Sequence, residues 1–277
     1  MITVEQVSFS YSNNESRIIK DVDLEIAEHE FVAVIGNNGS GKTTLAKLLN
    51  GLYIPDAGRI LVDGLDSKVP ENRILIKQKV GMLFAEADKQ LISSTVEEDV
   101  AFGPENLDLT QNEIRARVDN ALKLLSMEDF SKHPPYLLSG GQKQKVGIAG
   151  LLAMKPSYLV LDEPASMLDE RGKEEVFQAL WQLNKNEGIA VVLITHELPP
   201  ALKADRIVFM ESGQIKKQCR PEQIMYKPEL LRAMQIQPLD ISCFIEAFNT
   251  VSTGLLPIEI NDVDKLVEEI CQLKQKM

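Results

Sequence analysis

The stretch FVAVIGNNGSGKTTLAKLLNGL, residues 31–52, constrains this chain more than any other. A short continuous apolar run, the mark of a strand buried on both faces, leads into a glycine-rich turn and then a helical pattern. Gly36 to Thr44 fits G-x-x-x-x-G-K-[ST], with strand and helix on the sides that the chemistry requires. Glycines let the backbone curl so that its N–H groups face phosphate oxygens, and the helix presents its positive end to the same anion. Asn37, Asn38, Gly39, Ser40, Gly41, Lys42, Thr43 and Thr44 are therefore the expected phosphate cradle of a nucleotide site. Within it Lys42 should reach the β- and γ-phosphates, and the Thr43 hydroxyl should ligate Mg²⁺.

Two further apolar runs, YLVLD at 158–162 and AVVLIT at 190–195, are separated by helical patterns, which predicts an α/β fold around a mainly parallel sheet. YLVLDEP ends a buried strand with two adjacent carboxylates, costly unless each has a partner. Asp162 is placed to hold the metal's hydration shell, and Glu163 to orient an attacking water for in-line displacement. Upstream, ITVEQVSFSY and DVDLEI alternate as strands do. From Thr110, TQNE reads as a capping box, and Ile114, Val118, Ala121, Leu122 and Leu125 recur at helical spacing, predicting a helical insert between the first two buried strands. DRIVFMESGQI reads as a hairpin, and beyond Arg220 the composition changes to short helical pieces. The last carries Val263, Leu266, Val267, Ile270 and Leu273 on one face.

With 277 residues, 44% hydrophobic and 26% charged, the chain can bury a full core. No apolar run approaches the roughly 18 residues of a membrane span, and the N-terminus has no basic, apolar leader, so the expected location is cytoplasmic. Cys219, Cys243 and Cys271 lack metal-ligand spacing and read as buried small hydrophobes in a reducing compartment. Trp181 reads as core; His29 and His133 have no functional context. A net charge of -11 argues against a sequence-independent grip on nucleic acid.

LLSGGQKQKVGIAG, from Leu137, opens as a helix capped by Ser139, an anion site in its own right. With this segment the chain closely resembles the ATP-binding cassette family. The resemblance implies that Ser139, Gly140, Gly141 and Gln142 bind the γ-phosphate of an ATP held by the phosphate loop of a second cassette. Two cassettes then close on two nucleotides, and this chain needs a partner, identical or different. Family order adds Tyr11, where an aromatic stacks on adenine, and the SMLD loop, Ser166–Asp169, which signals between the two sites. It also adds His196 in LITHEL, which contacts the γ-phosphate. Lys42, Glu163 and His196 become the expected catalytic residues. Thr43 and Asp162 become the metal ligands. The resemblance covers roughly residues 1–220 and implies a P-loop NTPase cassette with an N-terminal antiparallel β-subdomain, a helical subdomain at about 90–150 and a small α-rich C-terminal extension at 221–277.

TVEEDVAFGPENL, Thr95–Leu107, with KPELLRAMQIQPL and GLLPIEI in the extension, is similar to the ATPase subunits of energy-coupling factor transporters, the cobalt and vitamin importers. That implies a peripheral protein at the cytoplasmic face of the cell membrane, partnered by a second cassette, a membrane coupling subunit and a small substrate-binding membrane protein. The extension is expected to help hold the two ATPases together. Glu97, Glu98 and Asp99 fall on the segment expected to line the groove for the membrane subunit, where charge complementarity is one reading and a solvated acidic face another. In LFAEADKQ, Ala85 replaces the family's glutamine and Ala87 its proline. Losing one hydrogen bond to a charged centre costs ~1.5–3 kcal/mol, roughly ten- to a hundredfold in rate if felt only in the transition state. Ala85 therefore predicts a weakened site in a heterodimer with two unequal sites; a loop shifted by one position is the alternative. Competing assignments are a soluble cassette acting on nucleic acid, a regulatory cassette that does not hydrolyse, and the ATPase of another transporter class.

Overall fold

The alternating N-terminal stretch forms two antiparallel strands, β1 (Ile2–Phe9) and β2 (Ile19–Ile26), pairing Ile2 with Ile26 and Val4 with Leu24. The computed structural model describes residues 1–11, 16–84, 90–252, 255–260 and 262–276. After β3 (Phe31–Ile35) and α1 (Lys42–Leu49), β4 (Ala57–Val62) and β5 (Leu65–Asp66) complete a sheet ordered β2-β1-β4-β5. Next come α2 (Asn72–Lys79), β6 (Val80–Leu83), and the helical insert α3 (Val96–Glu105), α4 (Gln111–Leu124) and α5 (Gly140–Ala153). Then follow β7 (Tyr158–Asp162), α6 (Glu170–Glu187), β8 (Ala190–Thr195), α7 (Leu198–Ala201), β9 (Arg206–Glu211) and β10 (Gln214–Cys219). They build a second sheet ordered β10-β9-β3-β8-β7-β6, parallel except where the expected hairpin adds β10 antiparallel to β9. The chain ends in α8 (Pro228–Ala233), α9 (Asp240–Val251) and α10 (Val263–Lys276).

The continuous apolar runs have a simple cause. Phe31, Ala33 and Ile35 of β3 enter one core with α5 and α6, while Val32 and Val34 enter a second core with α1 and the first sheet. In β7 and β8, Leu161 and Leu193 join the first core, Val160 and Val192 the second. A strand between two cores has no polar face to spare.

Within the insert, α4 begins where TQNE predicts. Thr110 Oγ1 accepts the Glu113 N–H at 3.4 Å, and Glu113 Oε2 accepts the Thr110 N–H at 2.9 Å. Val118, Ala121, Leu122 and Leu125 are buried, and Ile114 packs beside them.

The acidic run is used within the chain. Glu97 pairs with Lys132 and with Arg115, and Asp99 Oδ1 accepts the N–H groups of Ile92 and Ser93 at 2.8 and 3.0 Å. Glu98 closes a capping box with Thr95. Glu97 and Asp99 are thus engaged within the chain, while Glu98 stays exposed.

Three other expectations need correction. Only Cys219 of the three cysteines is buried; Cys243, on α9, is half-buried and Cys271, on α10, is exposed, since neither belongs to the small cluster those helices share. Trp181 lies at the core's edge, with the Lys203 ammonium 3.8 Å from its ring centroid. On α10, Leu266 is buried and Ile270 and Leu273 pack beside it, but Val263 and Val267 stay exposed. Ile224, Leu231 and Ile236 join the cassette core, whereas Ile245, Leu256, Ile260 and Leu266 form a separate small cluster.

Candidate nucleotide site

The turn between β3 and α1 is shaped by close approach. A Cβ on Gly36 would lie 2.1 Å from the Met210 carbonyl oxygen, so only glycine lets this strand end pass β9. Gly41 caps α1 at φ 102, a left-handed conformation that disfavours side chains. No side chain caps α1, and its first turn holds no acid, so its positive end is available to an anion.

Lys42 is buried and curls back on the loop, donating to the carbonyls of Gly36 at 2.6 Å and Asn37 at 3.0 Å. Burial holds its ammonium below the ordinary lysine range, opposed by the negative charges of Glu163 and Asp162. Across the site, Asp162 ends β7 with its side chain buried. Burial raises its carboxyl above the ordinary aspartate range, against a hydrogen bond from Thr43 and the charge of Lys42. Asp162 Oδ1 has no hydrogen-bond partner among the described residues. An ionised oxygen left so at neutral pH is a costly arrangement that a hydrated cation beside Thr43 would relieve. The donor set, a hydroxyl and a carboxylate, fits Mg²⁺.

Glu163 turns the chain at φ 52, a strained value for a residue with a side chain, and its N–H donates to the Ile194 carbonyl at 2.9 Å. Its carboxylate meets His196 Nδ1 at 2.9 Å. Tyr11 donates to or accepts from Thr44 Oγ1 at 2.9 Å and stands edge-on to Phe9 and Tyr53. Tyr11, Asn38, Gly39, Gly41, Lys42, Thr43, Thr44, Asp162 and Glu163 thus line one cleft of about 320 Å³.

Ser139–Gln142 do not line it. They start α5 elsewhere, where Ser139 Oγ accepts the Gln142 N–H at 3.3 Å and Gln142 Oε1 accepts the Ser139 N–H at 2.9 Å. Ser139 and Gly140 are exposed, and a Cβ on Gly140 would crowd Leu168 at 2.9 Å. The signature helix therefore abuts the Ser166–Asp169 loop. Sequence reasoning missed Ile18, which lines the cleft, and Gln235, whose side chain accepts a hydrogen bond from Asn37. Neither carries a local signal; both arrive through tertiary packing. Ala85 lies outside the described residues.

A phosphate loop, a buried strand ending in paired carboxylates and a separate anion-binding helix start define a P-loop nucleotide cassette. The family model for ABC transporters matches residues 19–166. Over 98% of this chain and 99% of its own length, the energy-coupling factor transporter ATP-binding protein EcfA of Syntrophomonas wolfei is 48% identical. A counterpart from Clostridium perfringens, EcfA1, is 42% identical over 99% of both chains. Among solved structures, cbiO1 of Clostridium perfringens, part of the ABC transporter complex cbiONQ, superposes at TM-score 0.78 with 34% identity, covering 88% of this chain and 98% of its own. A dimeric ATP-binding cassette in a post-hydrolysis state, bound to ADP and Pi, superposes at 0.70 with 30% identity, covering 80% and 99%. The chain belongs to the ABC transporter family, within its energy-coupling factor ATP-binding proteins.

Proposed function

We propose that this chain hydrolyses ATP in the cleft of Lys42, Asp162 and Glu163, once a second cassette covers it, and so powers uptake of a micronutrient, a vitamin or a transition-metal ion. The carrying observation is the split site: the cleft holds the phosphate loop and Glu163, with His196 hydrogen-bonded to Glu163 beside it, and the signature at Ser139–Gln142 lies outside it. Lys42 and the N-terminus of α1 hold the phosphates, and Tyr11, in the cleft lining, stacks on the adenine. Thr43 and Asp162 would hold Mg²⁺, which would supply charge neutralisation to the phosphates. Glu163 accepts a hydrogen bond from the attacking water and orients it in line, while His196 steadies Glu163 and meets the γ-phosphate. Closure supplies the partner's Ser139–Gln142 as the last donors, and product release reopens the pair.

The partners are a second cassette, a transmembrane coupling subunit and a small substrate-binding membrane protein, with the chain peripheral at the cytoplasmic face. Among the described residues no helix is long and apolar enough to cross a membrane, which leaves the spanning parts to other chains. Tagging the chain in its own cell, extracting membranes in mild detergent and identifying what co-purifies tests this. A second cassette with two membrane proteins is expected; soluble partners alone would overturn the transport assignment.

A further inference from the structure

Lys173 sits at the end of the first turn of α6, where the helix's positive end disfavours a cation. Its side chain is nevertheless only 20% exposed, held by Glu197 Oε1 at 2.7 Å and Glu170 Oε1 at 3.2 Å. Glu197 directly follows His196, and its N–H donates to Thr195 Oγ1 at 3.0 Å. Thr195 is buried at the end of β8. His196 is thus the middle of a three-residue corner, fixed on one side by the sheet and on the other by Lys173. Its own ring is 55% exposed and hydrogen-bonded to Glu163 Oε1 at 2.9 Å.

The other end of the connection is the Ser166–Asp169 loop. Asp169 caps α6, its carboxylate accepting the Gly172 N–H at 2.9 Å, and its carbonyl accepts the Lys173 N–H at 2.9 Å. One helical turn therefore joins the loop to Lys173. Met167 in that loop is an apolar side chain 75% exposed, and its neighbour Leu168 lies against Gly140 at the start of the signature helix.

We propose that the Lys173–Glu197 ion pair couples the Ser166–Asp169 loop to His196, so that contact with the second cassette sets the position of the Glu163–His196 pair. Lys173 touches neither nucleotide nor Glu163; it is a positioning residue. The inference rests on the reading of Glu163 and His196 given above. A pair that served stability alone would shift the melting point and leave turnover per assembled complex unchanged.

The test is steady-state ATPase of the purified, assembled transporter. Lys173→Met and Glu197→Gln should each lower kcat about tenfold with KM for ATP within about twofold of wild type. The double variant should fall no further than either single one, because a single connection is broken once. Lys173→Arg should keep its kcat, and Glu170→Gln, whose carboxylate is exposed, should match wild type. Wild-type kcat in both Lys173→Met and Glu197→Gln, a loss confined to KM, or multiplied losses in the double variant would overturn the coupling. If Lys173→Met does not assemble, Glu197→Gln and Lys173→Arg carry the test. His196→Ala separates the two claims: wild-type kcat there sinks the His196 reading and the coupling with it, whereas a poor His196→Ala beside a normal Glu197→Gln sinks the coupling alone.

Discussion

Ser139 does two things that a pair of substitutions can separate. It caps α5 through an oxygen 3.3 Å from the Gln142 nitrogen, and in the pair proposed above it would face the partner's γ-phosphate. Ser139→Ala removes the cap, costing about 1 kcal/mol and lowering the melting midpoint of the isolated chain by about 2–4 °C. It also removes one hydrogen bond to phosphate, worth about tenfold in turnover. Ser139→Asp caps as well as serine, so the midpoint should stay within about 1 °C. It brings a negative charge against the phosphate, however. At about 4 Å and an effective dielectric near 20 that repulsion is about 4 kcal/mol, or roughly a thousandfold. Stability should therefore rank wild type with Ser139→Asp above Ser139→Ala, and turnover should rank Ser139→Ala above Ser139→Asp. Thermal denaturation of the chain and ATPase of the assembled transporter give the two orders. A Ser139→Asp complex that turns over as fast as Ser139→Ala would refute the phosphate contact.

Glu163→Gln should bind ATP normally and lower kcat at least about a hundredfold, seen as ATP-dependent pairing of cassettes without phosphate release. Because burial raises the Asp162 carboxyl, the folded chain keeps that proton longer than the unfolded one, and stability falls as pH rises above about 4 toward the raised value. Asp162→Asn should accordingly raise the nucleotide-free melting midpoint at pH 7 by about 2 °C while abolishing stabilisation by Mg²⁺-ATP; a lower midpoint would contradict the buried-charge account. Lys155 follows α5 at φ 56, so Lys155→Gly should relieve left-handed strain and add up to about 1 kcal/mol, read by denaturant unfolding. Ala85→Gln should raise the ATPase rate of the assembled complex by about tenfold, and an unchanged rate and transport would remove the idea of a weakened site.

Legibility in the sequence followed the range of the forces. β3, β7 and β8 were readable because each serves two cores and so repeats apolar residues without interruption. Thr110 and Ser139 were readable because a cap is a contact three residues long. β6 was not: Val80–Leu83 is four residues with no turn signal to frame it, and only its pairing with β7 makes it a strand. The strand order was equally closed to reading, since β3 contacts strands more than 150 residues downstream. The same holds for charges. Glu97 looked solvated until Arg115 and Lys132 were brought to it, and neither pairing has a helical spacing from Glu97 that a sequence pattern could supply.

The separation of Ser139–Gln142 from the cleft has a cellular consequence. On the assembly proposed above, a lone newly made copy would hold fuel without burning it, since the donors that finish the reaction would belong to a second cassette. Ignition would then depend on the concentration of cassettes able to pair, not on the amount of any single copy.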